Sequence, residues 1–467
     1  MSIPALTPPV GDPDLSRLIA KLEAIRGSWY EDLVKLDRYR KGKQDITYMS
    51  EAMRKEFGDS ITDLVLNFPE LVVDAHNDRL DVEGFRFPGE PSGNDDLWGI
   101  WQANGMDGKS VMAHDDSLAL SKAAVIVGAG AASGDAPVIT VESAFDCAWI
   151  RSPSSGSVTS AIKRWTEDDS SQWASVYTPG RTRTVTLDRG TWRVTRDDEH
   201  NLAMVPLVPL INRPRTKDRD GRSEFASIIP IADAANKMAT DMMVSGEYHA
   251  MPRRWVFGIK RNDFQNPDGT PKKSWLATKG RIWANEDKEV KVGQFPESDL
   301  RNFHDTIKLL ARLVAQMAAL PIDYLAFDSV NPPSADALRA AESRLVKRVE
   351  RRQGAFGDAW EDVMRLALLV QRGKLEDNAS RLETVWREAS TPTVAQKADA
   401  TVKLYAAGII PREQAWMDMG YTPVQRVEMA RMFESEQISD PIVAATRNLA
   451  AGTGNPSTET GNAPVGG

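Results

Sequence analysis

The clearest hydrophobic pattern lies in the middle of the chain, where a polar segment precedes a long apolar-periodic stretch. The polar segment NRPRTKDRDGRSE is rich in turn-forming residues, and the apolar positions after it recur at helical spacing. They predict one helix over residues 224–249, which Pro252 ends before a short strand rich in aromatic and β-branched residues. A second amphipathic helix is predicted over residues 297–319. The two helices therefore enclose an insert of strands and loops at residues 250–296.

The segment before this pair of helices combines helical and strand patterns. Apolar residues at three- and four-residue spacing predict a first helix that begins after Asp12 or Asp14. A second helix is predicted over residues 60–78, with Pro69 as an interruption. Short alternating segments over residues 162–204, separated by turns, predict an antiparallel meander. The first half of the chain is therefore predicted to be a mixed α+β fold.

A very long helix is predicted in the second half of the chain, from Ser334 to Arg372. Ser334 or Asp336 is the expected N-cap, since their side chains accept hydrogen bonds from the first free N–H groups. At ~1.5 Å per residue the helix would be roughly 50–60 Å long. Gly354 and Gly357 predict a bend within it.

The remaining C-terminal sequence predicts small elements and then a tail. RLETVWREA is typical of a strand, and short helices are predicted at residues 393–407, 411–419 and 423–436. From about Ser439 onward Gly, Pro, Ser, Thr and Asn dominate, which predicts a disordered end.

The composition is that of an ordinary soluble globular protein, long enough for two or three domains or for one elaborate multi-segment subunit. The chain has 467 residues, with 41% hydrophobic and 27% charged residues. The longest small or apolar run, at residues 123–132, is too short for a membrane span, and the N-terminus lacks the pattern of a secretory signal. A single cysteine, Cys147, excludes an intrachain disulfide. The net charge of −8 argues against non-specific coating of nucleic acid, but allows a protein past which DNA slides.

The motifs that could carry catalysis are weak. Gly128, Gly130 and Gly134 depart by one residue from the dinucleotide-binding spacing, and a strand follows them, which favours a hairpin turn. Gly108–Ser110 resembles the end of a phosphate-binding loop, but Ala103 stands where its first glycine belongs. The five histidines lack helical metal-site spacing, and the acidic clusters fit turns and caps. We therefore expect no catalytic residue, no metal site and no cofactor.

Basic residues recur along one face of the helix predicted at residues 297–319. They are Arg301, His304, Lys308 and Arg312. The opposite face is predicted to carry Ile307, Leu310, Leu313, Val314 and Met317. Residues three and four apart on a helix are neighbours, so the basic residues form one stripe. The stripe is either a solvated edge of an amphipathic helix or a surface that faces a nucleic-acid backbone.

The insert between the two helices is also basic. Residues 251–293 contain ten lysines and arginines against five aspartates and glutamates. Lys260, Arg261, Lys272 and Lys273 are the candidate docking residues within it. The insert is a docking face for an acidic partner, a rim close to DNA, or a solvated loop. RLVKRVERR, at residues 344–352, is basic as well, and contact with neighbouring subunits explains it as readily as DNA does.

Several segments resemble one family in order along the chain. KLDRYRKGKQ is similar to an aromatic-x-x-Gly signature, carried here by Tyr39 and Gly42. A second segment matches at Asn67, Val72, Val73, Asp74, Arg79, Leu80, Val82, Gly84 and Phe85. A third matches at Pro333, Ser334, Ala335, Ala337, Leu338 and Glu342, and a fourth at Trp386, Ala398, Asp399, Gly408 and Gly420. Together with the loop–helix–proline–strand order in the middle, they resemble the siphophage-type portal proteins of tailed bacteriophages, over roughly residues 10–437.

This resemblance implies a portal-type subunit and a division of the chain into named parts. Residues 1–223 would form an α+β wing, 224–249 and 297–319 a two-helix stem, 250–296 a small β/loop clip, 320–335 a tunnel loop, 336–392 a long kinked wing helix with a return strand, 393–437 a helical crown, and 438–467 a disordered tail. In the tunnel loop, Asp328, Ser329, Asn331 and Ser334 would meet DNA by shape and polar contact, because the loop lacks Lys and Arg.

The resemblance also implies an assembly and its partners. It implies a dodecameric ring at one capsid vertex of the virion, assembled in the host cytoplasm. Double-stranded DNA would pass through the ring along the stem, on Arg301, His304, Lys308 and Arg312. The expected partners are the terminase large subunit, the head–tail adaptor, the major capsid protein and the scaffold protein, with no membrane. A ring would also bury apolar helix surface that a single copy leaves open.

Two other classes of protein stay open on the residues alone. A different capsid-lattice or scaffold-type structural protein would use the same amphipathic helices, although the basic insert between two helices favours the portal. An enzyme with dispersed carboxylates would lose a metal-dependent activity on single Asp or Glu substitutions, and no sequence feature supports it.

Overall fold

The computed structural model describes most of the chain, with gaps. The described residues are 12–44, 64–89, 93–130, 135–189, 191–200, 202–250, 254–257, 282–285, 291–294, 300–325, 334–375, 378–390, 394–421 and 423–439. The contacts of the chain divide it into two compact units, Met1–Ser390 and Thr391–Gly467. Both contain helices and the first also contains sheets, so the mixed α+β prediction is confirmed.

Two helices of the first unit begin at side-chain caps. Helix α1 (Pro13–Arg40) starts at Asp12, whose carboxylate accepts hydrogen bonds from the backbone N–H groups of its first turn, as predicted. Helix α2 (Phe68–Asn77) starts at Asn67, and Pro69 lies in its first turn. The prediction that Pro69 interrupts a helix was therefore wrong. Proline is tolerated in a first turn, where its missing N–H would have no partner.

The Trp-rich stretch that follows forms two helices, α3 (Asp95–Ala103) and α4 (Met106–Leu120). The chain breaks between them at Gly105, which adopts a left-handed conformation with φ of 61°. Gly108–Ser110 lies inside α4, so this segment cannot form a phosphate-binding loop. A buried aromatic cluster joins α3 and α4 to the long helix described below, with Trp101 and Trp360 edge to face at 5.2 Å.

The strands of the described residues have the following bounds. They are β1 (Val82–Arg86), β2 (Lys122–Gly128), β3 (Val138–Ser143), β4 (Cys147–Arg151), β5 (Val158–Thr166), β6 (Gln172–Thr178), β7 (Arg181–Asp188), β8 (Thr191–Glu199), β9 (Leu207–Ile211), β10 (Arg254–Phe257), β11 (Ile282–Asn285), β12 (Lys291–Gln294) and β13 (Glu383–Trp386).

These strands form four sheets. Strands β4 to β8 make a five-stranded antiparallel meander in chain order, which confirms the meander prediction. Strand β2 is buried between β3 and β9, and its antiparallel pairing with β3, with Gly128 opposite Val138, agrees with the predicted hairpin; Gly134 lies outside the described residues. Strand β10 lies between β11 and β12, in the insert between the two central helices. Among the described strands, β1 pairs with β13 alone, which comes about 300 residues later in the chain.

Three long helices follow the meander. Helix α5 (Ile229–Ala250) begins five residues later than predicted, because residues 224–228 form turns. Helix α6 (Arg301–Ala318) follows the insert, and α7 (Ala335–Arg372) is one uninterrupted helix of 38 residues. The Ser334 side chain caps α7 by accepting from the Ala337 N–H, as predicted. The predicted bend in α7 stays a prediction.

One glycine of α7 has a packing role. A Cβ at Gly357 would lie 3.2 Å from Trp386 Nε1 of β13, so the small residue allows the strand to lie close against the helix. This contact fixes the β1–β13 sheet against α7.

The second unit contains three helices in its described part, α8 (Val394–Ala406), α9 (Arg412–Asp418) and α10 (Pro423–Ser439). Their order and approximate bounds agree with the prediction. Trp416 of α9 stacks on Phe433 of α10 at 5.4 Å, and the Arg412 guanidinium lies over the same Phe433 ring. Large apolar side chains remain exposed on this unit, among them Val402, Ile409 and Val427.

Candidate functional site

Helix α6 packs against α5 along one narrow seam. The buried side chains of α6 on this seam are Ile307, Ala311, Val314, Ala315 and Ala318. Most of them are small, and small residues allow two helices to approach closely. The seam covers only about one third of the circumference of α6, so two other faces remain for other contacts.

One of these faces is apolar and exposed. Leu309, Leu313 and Met317, which we name the apolar ridge, are 55%, 39% and 40% exposed. They recur every four residues and so form one line along α6. The sequence placed Leu313 and Met317 on the same face as Ile307 and Val314, but in the structure Leu313 and Met317 lie outside the seam and stay exposed. The alanines bring α5 close, and the seam turns the larger side chains away from it.

The other free face carries the predicted basic residues. Arg301, His304 and Arg312 are exposed and Lys308 is half-buried, and we name these four side chains the basic flank. Their spacing of three and four residues places them on one side of the seam, while the apolar ridge lies on the other. Helix α6 thus presents three different surfaces: a packed seam, an apolar ridge and a basic flank.

Several predicted site residues lie outside the described residues. These are Lys260, Arg261, Lys272 and Lys273 of the predicted clip, and Asp328, Ser329 and Asn331 of the predicted tunnel loop. Ser334 is described, and its hydroxyl caps α7 by accepting a hydrogen bond from the Ala337 N–H.

A buried charged cluster lies where the chain enters α5, and sequence reasoning did not find it. Glu224 is fully buried, and Arg352 of α7 donates to it at 3.0 Å. The guanidinium groups of Arg213 and Arg348 each lie 3.7 Å from the other carboxylate oxygen, and so does His76 Nε2. Asn212 Nδ2 donates to the carboxylate at 3.2 Å. We name these six residues the Glu224 junction.

The junction is held together by opposite charges at a buried position. Burial alone would raise the pKa of Glu224, but His76 and the neighbouring guanidinium groups outweigh burial and hold the pKa at about 2. Burial lowers the pKa of His76, whose Nδ1 contacts the Val72 carbonyl at 2.8 Å. Glu224 is therefore ionised at neutral pH. A carboxylate in this setting joins α2, the 212–224 loop and α7.

The loop that carries Asn212 and Glu224 is closed by a glycine. Gly221 adopts a φ of +78°, and a Cβ there would lie 2.6 Å from Ile211 Cγ2 and 3.0 Å from the Ser121 carbonyl oxygen. The Arg222 N–H donates to the Asn212 carbonyl, and Asn212 Nδ2 donates to the Arg222 carbonyl. Only glycine fits this turn, because its conformation and its surroundings both exclude a side chain.

Gly221→Ala is expected to lower the free energy of unfolding by roughly 3 kcal/mol, from the left-handed φ and the backbone clash together. Gly105→Ala is the matched control. Gly105 has a φ of +61° with nothing within 4 Å, so only the conformational part, about 1 kcal/mol, should appear. The measurement is the denaturant midpoint followed by tryptophan fluorescence. Equal shifts of the denaturant midpoint for the two variants would contradict a steric clash of the Cβ at position 221.

A second polar contact connects the segment after α6 to the turn that follows α2. The Arg79 guanidinium donates to Tyr324 Oη at 2.9 Å and to Glu342 of α7 at 3.0 Å, and it also donates to the Ala389 carbonyl. The Tyr324 hydroxyl donates to the same Glu342 carboxylate at 3.0 Å. This group fixes the end of the segment after α6 and the start of α7 to the turn that follows α2.

His114 has a structural role in the core. The ring of His114 stacks on Phe356 at 5.3 Å and accepts a hydrogen bond from Trp360 Nε1, and burial lowers its pKa to about 3. Within the described ranges, no group of three or more His, Cys, Asp or Glu side chains is arranged to hold a metal ion. Among the helices described, none is long and apolar enough to cross a bilayer.

The chain is similar to proteins with a known role. It is 38% identical to the portal protein of Mycobacterium phage D29 and 37% identical to that of Mycobacterium phage L5. Each similarity extends over 383 residues, which is 79% of this chain and 79% of the relative. The class of protein is thus a phage portal protein, a structural component of the phage.

The family is also established by a family model. The model described as "Phage portal protein, SPP1 Gp6-like" matches residues 19–439. The chain belongs to this family, and the resemblance to portal proteins seen in its motifs is confirmed.

Solved structures show more distant likenesses. One is to a chain of the virion of a native gene transfer agent particle, at 13% identity and a TM-score of 0.45. Others are to the neck of the native particle computed with C12 symmetry, at 14% and 0.42, and to the neck of the empty particle computed with C6 symmetry, at 13% and 0.48. All three cover 84% of this chain and 94% of the other chain. At these scores the likenesses do not locate individual residues.

Proposed function

We propose that this portal protein forms a ring of about twelve subunits at one vertex of the capsid. Double-stranded DNA is packaged and ejected through the ring, which acts without catalysis of its own. The ring docks the terminase large subunit and the head–tail adaptor, and it contacts the major capsid and scaffold proteins. It is assembled in the host cytoplasm and stays in the virion. Helices α5 and α6 form the stem, the insert between them the clip, and the second unit the crown.

The apolar ridge is the observation that carries this proposal. Three large apolar side chains in one line on α6 are exposed, although the same helix buries another face against α5. An exposed apolar line of this kind is typical of a surface that a partner covers. In a ring, the ridge of one subunit packs on a different surface of the next, and such contacts close on themselves. The exposed apolar residues of the second unit support the same arrangement.

The ring is tested by the mass of the purified full-length protein in light scattering, with negative-stain images of the same fraction. We expect a closed ring of about twelve copies with a central hole wide enough for duplex DNA. A ring without a hole, or a compact monomer or dimer at every concentration and with scaffold protein added, would contradict the proposal.

The basic flank is proposed to face the DNA in the channel. The triple substitution of Arg301, Lys308 and Arg312 by Glu should reduce the DNA packaged per particle about tenfold or more, because the channel wall would repel phosphates. Rings should still form, since the apolar ridge is on the other side of α6. A control changes Arg17, Arg86 and Arg193 to Glu, which alters the net charge equally at exposed positions outside the stem. Normal filling by the triple variant would contradict a DNA-facing flank.

A further inference from the structure

Two segments of the first unit are strongly basic within an acidic chain. Residues 213–222 and 343–352 together contain ten lysines and arginines and three acidic residues, within a chain of net charge −8. The first segment is the loop before Glu224, and the second is the part of α7 with the sequence SRLVKRVERR. They are about 130 residues apart in sequence, so their combined charge is meaningful only if the fold brings them together.

The Glu224 junction brings them together. Arg213 from the loop and Arg348 from α7 both lie 3.7 Å from the same oxygen of Glu224. Arg348 also donates to the Met317 carbonyl at 2.8 Å, at the end of α6. Both guanidinium groups remain partly exposed, with 34% and 25% of their side-chain area open. The guanidinium groups of Arg213 and Arg348 are therefore held in place by Glu224 and are still accessible to solvent.

The basic side chains continue along the surface of α7. Arg344, Arg348 and Arg351 are separated by four and three residues, so they share one face of the helix. Arg344 and Arg351 are exposed. We name Arg213, Arg344, Arg348 and Arg351 the arginine row. Glu224 is a single carboxylate, and Arg352 already binds it at 3.0 Å, so the row keeps an excess of positive charge.

We propose that the arginine row binds the phosphodiester backbone of double-stranded DNA. A row of guanidinium groups at helical spacing fits a polyanion, which engages several members at once, whereas one carboxylate of a protein partner would engage one. Arginine also suits phosphate because its planar fork donates two hydrogen bonds, and the anchoring by Glu224 orders Arg213 and Arg348 in advance. The inference rests on the proposed function, since DNA must reach this surface, but it names a contact site separate from the stem.

The test compares duplex binding by full-length variants. Arg344→Gln with Arg351→Gln removes two exposed members of the row and leaves the Glu224 junction intact. The matched control, Arg17→Gln with Arg372→Gln, removes the same charge from two other helix surfaces. Binding of a short fluorescent DNA duplex is measured by anisotropy over a series of salt concentrations. The row variant should bind roughly tenfold more weakly at low salt, with a log–log salt slope smaller by about 2, and the control should change less than about twofold.

Three results would overturn the inference. Equal weakening in both variants would mean that only net charge matters. No duplex binding by wild-type rings at low salt would exclude the site. Loss of rings by the row variant with unchanged duplex affinity would assign the row to acidic residues of a neighbouring copy. Each result is interpreted together with the oligomeric state of the wild-type protein. If the ring proposal fails, the wild-type protein forms no rings, so this failure is distinguishable from failure of the arginine row as a DNA-binding site.

Discussion

Portal protein in which Leu309, Leu313 and Met317 are all replaced by glutamine is expected to fold but to form no rings. Glutamine is a good helix former, so α6 persists while its apolar ridge disappears. Each side chain is already partly covered in the single subunit, so burial against a neighbour contributes about 1 kcal/mol per side chain. About 3 kcal/mol per interface is roughly a 100-fold loss in affinity between subunits. In the proposed ring every subunit has two neighbours, so the loss applies at each interface.

Light scattering measures this outcome, with circular dichroism as the check on folding. The matched control replaces Val111 and Met112, two exposed apolar residues of α4, by glutamine. We expect the control to give rings of wild-type mass, since these residues lie outside α5 and α6. Rings of normal mass from the triple variant would contradict the ridge as a subunit contact.

Glu224→Gln is expected to lower the free energy of unfolding at pH 7 by about 3–5 kcal/mol. The substitution keeps the shape of the side chain but leaves Arg213, Arg348 and Arg352 without their buried counter-charge. Three segments that are distant in sequence would then be joined by like charges at their contact point. Glu383→Gln is the control, because Glu383 is an exposed partner of Arg86 and such pairs contribute little.

The pH dependence separates the charge of Glu224 from its shape. The pKa of Glu224 is lowered from 4.5 to about 2, so its stabilisation is complete above pH 4.5 and is lost as the pH falls towards 2. The difference in unfolding free energy between wild type and Glu224→Gln should therefore shrink by roughly 3 kcal/mol between pH 6 and pH 2. Denaturant unfolding at several pH values measures it. A difference that stays constant over this range would contradict the electrostatic account.

The local elements were predictable because their signals are local. The alternating pattern of residues 162–204 predicted the meander, and Ser334 marked the start of α7 by its capping chemistry. Pro69 was misinterpreted for a reason that is also local. Proline both interrupts helices and begins them, and the sequence pattern did not show that Asn67 caps the first turn.

The surfaces of α6 were only half predictable. Helical spacing is enough to group Arg301, His304, Lys308 and Arg312 on one side. It does not reveal which part of the remaining circumference faces α5. That choice depends on the alanines of the seam, which allow a close approach, and it left Leu313 and Met317 exposed. A moderately apolar helix with two different apolar sides is the signal that could have indicated a second contact.

The Glu224 junction could not be predicted from the sequence. Its members come from α2, the 212–224 loop and α7, and Glu224 and Arg352 are 128 residues apart. In the sequence Glu224 fits the acidic first turn of a helix, and Arg352 fits a solvated basic face. A buried carboxylate surrounded by arginines is a tertiary arrangement, and neither helical periodicity nor capping residues in the sequence can indicate it.

The pairing of β1 with β13 has a consequence for how the chain is made. β1 leaves the ribosome early, but its partner among the described strands, Glu383–Trp386, is synthesised about 300 residues later. Until then the backbone groups of Val82–Arg86 and the apolar residues beside them are open to other nascent chains. A chain that ends before β13 keeps this edge open permanently, whereas one that ends after Ser390 retains the whole first unit. Yield of the protein should therefore depend on delaying aggregation during translation, through slow synthesis or chaperones, more than on the second unit.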